Sequence, residues 1–168
     1  MTASDVRPRA SVPLTIAGLA LLIVPLIAAG LKFASFGWLM VFALWSIWPP
    51  ALLILGWIVQ IVVASTGYFG RRGLFARHAT RRAVVIAWVT SIGALLVAFF
   101  FVDGADTTWG STFMYWTGTG GDDTLGAVSS TIATIALVPW IGGWLWLVVE
   151  WIVAIVVRGR EHRAARAD

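Results

Sequence analysis

Two polar side chains lie within long apolar stretches of this sequence, where they could do chemistry inside a membrane. Glu150 is the only charged residue between Asp123 and Arg158, and it precedes Arg158 by eight residues, about 12 Å of helix. Gln60 lies six residues before Thr66 in another apolar stretch. A carboxylate inside a membrane can exchange a proton for a cation, so Glu150 with Gln60 as its hydrogen-bonding neighbour is the first candidate site.

Helical periodicity places Glu150 on one stripe with Trp146, Gly143 and Pro139, where a glycine and a proline would open space beside the carboxylate. Three interpretations of Glu150 remain open at this stage. It is a polar contact between helices, a boundary residue that reaches headgroups and loop arginines, or a site of proton- or cation-coupled transport.

A second group of residues indicates lipid contact. The segment 70–82 holds five arginines and no acidic residue, and such a segment next to a membrane span attracts anionic headgroups. Leu74 and Phe75 are expected to anchor this loop in the membrane surface. The candidate headgroup contacts are Arg71, Arg72, Arg77, Arg81 and Arg82.

Catalytic and metal-binding patterns are absent from the sequence. The chain has no cysteine, and His78 and His162 lie in basic segments without a second ligand at a suitable spacing. No nucleophile elbow, HExxH pattern or phosphate-binding loop occurs. We therefore expect no enzymatic activity, no cofactor and no metal.

An acidic, aromatic segment follows the third apolar stretch. It contains four aspartates and the aromatic residues Trp109, Phe113, Tyr115 and Trp116. The simplest interpretation is a solvated loop that dips aromatic side chains into the membrane interface. Two alternatives remain, calcium binding and a lipid-directed enzyme that uses Asp103 or Asp106. The aspartates are Asp103, Asp106, Asp122 and Asp123.

This segment begins with a predicted short helix, continues with the glycine-rich residues 116–122 and is followed by a span. This order is similar to that of pore-loop potassium channels. Thr119, however, stands where such filters have the first of two glycines, and carbonyl alignment there requires glycine. The sequence therefore argues against a selectivity filter.

The elements that must position these residues are membrane spans. Of the 168 residues, 60% are hydrophobic and 12% charged, and the mean hydropathy is +0.89, which exceeds what one soluble core can hide. Pro49 and Pro50 interrupt the second apolar stretch, so residues 33–43 are expected to form an interfacial segment before a single span. The predicted spans are 12–31, 44–66, 83–102 and 132–157.

The distribution of charge predicts the orientation of these spans. Four spans place all 11 arginines on one side, and Lys32 with the four loop aspartates on the other. The positive-inside rule then puts both termini, the loop 67–82 and the tail 158–168 in the cytoplasm, and the loop 103–124 outside. An alternative makes the first apolar stretch a cleaved signal peptide, which leaves the orientation unchanged.

Two further patterns concern packing and internal symmetry. The segments 57–63 and 151–157 differ only at Gln60 and Ala154, which suggests a duplicated helical hairpin. Small residues spaced by four are expected to let helices approach closely. They are Ala87 with Ser91, Ala94 with Ala98, and Gly126 with Ser130 and Thr134.

Taken together, these features predict an all-α polytopic membrane protein, with residues 1–168 forming one integral domain of four transmembrane helices in a bacterial cytoplasmic membrane. The expected role is that of a non-enzymatic accessory, scaffolding or regulatory subunit. Its expected partners are anionic lipids and either a membrane protein or a second copy, and nucleic acid is not expected. The alternative is a small transporter or channel that uses Glu150.

Overall fold

A computed structural model describes residues 12–35, 37–69, 73–78, 80–104, 108–164 and 166. Most of this part of the chain is helical. One π-helical turn, Ala64–Tyr68, directly follows the helix Trp48–Val63, and another, Val138–Gly142, joins the helices Asp123–Leu137 and Gly143–Ala164. The helices are α1 (Val12–Ala34), α2 (Trp38–Trp45), α3 (Trp48–Val63), α4 (Phe75–His78), α5 (Thr80–Phe100), α6 (Thr112–Thr117), α7 (Asp123–Leu137) and α8 (Gly143–Ala164).

Four helical segments are long and apolar enough to cross a membrane, which confirms the prediction of four such helices. They are Val12–Ala34, Trp48–Tyr68, Thr80–Phe100 and Asp123–Glu161. The second begins later than the predicted 44–66 span because Pro49 and Pro50 occupy its first turn, where a missing N–H is tolerated. The fourth is far longer than one membrane crossing requires.

The helix α5 lies at the centre of the bundle and packs against α1, α7 and α8. Its buried residues are small, so neighbouring backbones come close. A Cβ atom on Gly93 would lie 2.6 Å from the backbone nitrogen of Trp140. The predicted small pairs Ala87 with Ser91 and Ala94 with Ala98 are both buried in this helix.

The small-residue prediction for the last span is wrong in its register. Gly126 is buried as expected, but Ser130 and Thr134 are exposed. The buried face of α7 continues instead through Ser129, Ala133 and Ala136. Both sets consist of small residues, so composition did not distinguish the two faces.

The described residues between α5 and α7 form a small folded region at one end of the spans, which we call the cap. Strand β1 (Asp103–Gly104) pairs antiparallel with β2 (Trp109–Gly110). Ser111 caps the N-terminus of α6 by accepting from the N–H of Met114. Trp109 packs over Gly126, where a Cβ atom would collide with its ring.

The glycine-rich residues 116–122 end one helix and start the next. Gly118 is left-handed, with φ of 69°, and the N–H of Thr119 donates to the carbonyl of Met114 at 2.9 Å, as in a Schellman cap. Asp122 then caps α7 through the N–H of Leu125 at 2.8 Å. These groups therefore close one helix end and open the next helix.

Candidate functional site

Gln60 is engaged in the packing of two spans. It is buried in α3, and its Nε2 donates to the carbonyl oxygen of Leu21 in α1 at 2.5 Å. In a regular helix that carbonyl would accept from the residue four positions later, which is Pro25 and has no N–H. Gln60 therefore supplies the donor that Pro25 lacks.

The height of Glu150 in the bundle follows from contacts between α5 and the last span. Gly93 lies against Trp140, and three residues further along, Gly143 lies against Thr90, whose side chain a Cβ atom would meet. Continuing this antiparallel register by seven residues places Glu150 level with Ala83, about one turn inside the start of α5. The next residue, Trp151, donates to Thr66 in the last turn of the second span. This contact also places Glu150 near the end of the bundle at which α5 begins.

We call the end of the bundle that carries Arg81 and Arg82 the arginine end, and the end that carries Lys32 and Asp103 the loop end. Glu150 lies near the arginine end, but its side chain points away from it. Trp146 Nε1 donates to Glu150 Oε1 at 3.1 Å, and Trp146 lies one turn, about 6 Å, further from the arginine end. The carboxylate therefore lies deeper in the span than its own backbone.

The Glu150–Trp146 pair faces outward. Trp146 is 58% exposed and Val149 is also 58% exposed, while Glu150 is partly exposed. Among the residues that the structure describes, the carboxylate forms no ion pair, and its hydrogen bond comes from Trp146. The predicted stripe through Trp146 is thus observed, but Gly143 is filled by Thr90 and opens no space beside Glu150.

Of the predicted headgroup contacts, Arg81 and Arg82 lie exposed in the first turn of α5. Arg71 and Arg72 lie outside the described residues, as does the side chain of Arg77. The prediction that Phe75 anchors the loop in the membrane surface is wrong. Phe75 is fully buried and packs against Tyr68, with ring centroids 5.0 Å apart, because Gly67 leaves room for its ring.

A buried ion pair at the loop end was not foreseen from the sequence. Lys32 and Asp103 are 7% and 2% exposed, and their Nζ and Oδ2 atoms are 3.9 Å apart. Lys32 also donates to the carbonyl of Phe101 at 3.2 Å. Asp103 accepts from the N–H groups of Leu39 and Met40 at 2.8 and 3.2 Å, and so caps the N-terminus of α2 from a distant part of the chain.

This arrangement bears on the two chemical alternatives for the aspartate segment. Both carboxylate oxygens of Asp103 accept backbone N–H groups, which gives this residue a structural role. Asp106 lies outside the described residues. Within the described ranges, no three His, Cys, Asp or Glu side chains are grouped as metal ligands would be.

Hydroxyl groups complete the polar interior of the loop end. Ser35 and Thr112 are buried and their hydroxyl oxygens lie 2.6 Å apart, which joins the turn after α1 to α6. Ser111 donates to Ser129 at 3.2 Å and so joins the cap to α7. These bonds fix the cap on the spans.

Comparison of the chain with protein-family models, with curated proteins and with solved structures finds no match.

Proposed function

We propose that this chain is a non-enzymatic subunit of a membrane-protein assembly in the bacterial cytoplasmic membrane, with both termini in the cytoplasm. The observation that carries the proposal is the uneven burial of its spans. In the most apolar 18-residue window, 44% of the residues of α5 are buried but only 11% of those of the last span. The last span thus offers most of its surface to other molecules in the membrane.

The use of polar groups within the bundle supports a packing role over a chemical one. Gln60 compensates for Pro25, Asp103 caps α2, and the described loop hydroxyls connect neighbouring elements. Such groups contribute to one defined arrangement of helices, as expected for a scaffold. Exposed Arg81 and Arg82 at the arginine end support contact with anionic lipids of the inner leaflet.

The test is the native mass of the full-length tagged chain, extracted from its own membrane in a mild detergent. The proposal expects a complex that contains this chain and a different membrane protein in fixed stoichiometry. A chain that is recovered alone or only with copies of itself would contradict it. In that case the alternative becomes the transporter predicted from Glu150, for which Glu150→Gln should abolish pH-dependent flux in proteoliposomes.

A further inference from the structure

We propose that Glu150 and Trp146 form the recognition site for a transmembrane helix of a different protein, and that this helix carries a lysine or arginine at the depth of the carboxylate. The inference rests on the proposed function and names the chemistry of the partner. It follows from three observations: where the carboxylate lies, what it is bonded to, and which way its surroundings face.

The depth of the carboxylate makes a cationic partner favourable. The register between α5 and α8 places Glu150 level with Ala83, and its bond to Trp146 directs the side chain further into the span. The carboxylate is thus directed from near the arginine end into the apolar part of the span, and intramembrane acids are found paired with basic groups or inside cavities. In the described chain the carboxylate has only the neutral indole N–H as its donor, so the charge is left uncompensated.

The surface around the carboxylate fits a helix. Trp146, Val149 and Val153 surround Glu150 on α8 and are each more than half exposed. They form an apolar surface on which a single carboxylate is the charged group, so a helix that places a basic side chain opposite Glu150 gains both packing and charge complementarity. An apolar helix of the same shape without a basic residue gains the packing but not the charge complementarity. The charge therefore provides specificity.

A second copy of this chain is a poorer occupant of the same surface. Two copies in one membrane have the same orientation, and a twofold contact through this face would bring the two Glu150 side chains to the same depth on either side of the axis. Like charges would then oppose each other. Among the basic residues within the described spans, Lys32 lies at the opposite end and is already paired with Asp103. The others lie at the arginine end, away from which the carboxylate is directed, and they are Arg81, Arg82, Arg158 and Arg160.

The experiment compares co-purification of the partner with variants of the full-length chain in its own membrane. Glu150→Gln keeps the size of the side chain and an acceptor for Trp146 but removes the charge. We expect it to lower the recovered partner at least about tenfold, while Glu150→Asp retains part of the binding. Glu161→Gln, on the same helix but beyond Arg158, is the matched control. It should leave the amount of recovered partner unchanged.

The decisive step reverses the charges. The partner, once sequenced, must contain a lysine or arginine in a span, and Glu150→Lys should lose binding. Binding should return when that basic residue is changed to glutamate. Elution volume and helical content of each variant, measured in the same detergent, establish that the variants are folded.

The possible outcomes separate the inference from the proposed function. If the partner co-purifies equally with wild type and Glu150→Gln, or has no basic residue in a span, the inference is wrong while the subunit role stands. If no different protein co-purifies, both fail. Native mass spectra that show an amine-bearing lipid, lost in Glu150→Gln, would assign the carboxylate to a headgroup and also overturn the inference.

Discussion

Gln60 donates a hydrogen bond to the carbonyl of Leu21, the carbonyl that Pro25 leaves without a helical donor. Gln60 and Leu21 are far apart in sequence and belong to different candidate spans. An unpaired carbonyl is costly in a dry interior, because no water replaces the missing donor. The proline in α1 and the glutamine in α3 therefore form one structural unit, and the bond fixes how the first two spans meet.

This unit predicts a non-additive pair of substitutions. Gln60→Leu should lower the free energy of unfolding in detergent by about 1 kcal/mol, because the carbonyl of Leu21 loses its donor. Pro25→Ala supplies a backbone N–H to the same carbonyl, so Gln60→Leu in that background should cost little. Unfolding followed by circular dichroism gives the coupling energy. Equal costs in both backgrounds would show that the glutamine acts in another way.

The Lys32–Asp103 pair predicts a second effect, at the loop end. Asp103→Ala leaves the Lys32 ammonium buried without its counter-charge and removes the cap of α2, so we expect a loss of about 3 kcal/mol in unfolding free energy. Adding Lys32→Met should recover part of that loss. Asp123→Ala, at an exposed aspartate in the first turn of α7, serves as the control.

Hydrogen exchange localises the effect of Asp103→Ala. The amides of Leu39 and Met40 bond to this carboxylate, so they should exchange faster in the variant, while amides in the middle of α5 should not change. Uniform acceleration across the chain would indicate global destabilisation and not release of α2.

The sequence was sufficient to predict the four long apolar helices, because hydropathy and charge are properties of consecutive residues. The effect of proline is local too, but Pro49 and Pro50 lie in the first turn of the second span and not inside it, so the predicted start at residue 44 was too early. The cap of α2 was not predictable in this way. Gly37 precedes α2 and has no side chain to cap it, and the residue that does so, Asp103, lies after a later span. The missing local cap was the one available signal.

Two errors show where local pattern is insufficient. Phe75 in an arginine-rich loop has the composition of a surface anchor, and only the space beside Gly67 explains its burial. Ser129 and Ser130 are identical residues on faces of α7 that differ by about 100°, and the contact with Ser111 buries Ser129. The environment of Glu150 was partly predictable, because its periodicity with Trp146 is helical and local.

Close packing around α5 predicts opposite results for two glycines. Gly93→Ala places a methyl group against the backbone of Trp140, which cannot move without separating the helices, so we expect a loss of about 2 kcal/mol. Gly142→Ala meets open space and should be neutral or stabilising, because alanine favours helix. Thermal unfolding of the two variants provides the comparison, and equal melting temperatures would argue against this contact.

Tyr115 predicts a dependence on alkaline pH. Burial, and secondarily the negative charge of Asp103, raise the pKa of its phenol above the ordinary value of 10.0. A raised pKa means that the folded state favours the protonated phenol. Its contribution to stability is therefore complete below pH 10 and is lost as the pH rises through the higher folded value.

The effect of Asp103 on this group can be isolated. In Asp103→Asn the pKa of Tyr115 should fall toward its ordinary value, as measured by phenolate absorbance with Tyr115→Phe to identify the signal. The chain has two tyrosines, which makes the assignment practical. An unchanged titration would leave burial as the sole cause.

The distribution of arginines predicts how the helix bundle is oriented in the membrane. If all arginines lie in the cytoplasm, a reporter fused after Gly73 should be cytoplasmic and one fused after Gly120 should be outside, because α5 separates the two positions. Alkaline phosphatase and a fluorescent protein report the two compartments with opposite activities. The same compartment for both fusions would mean that α5 does not cross the membrane, and inverted signals would mean that the arginine end faces outward.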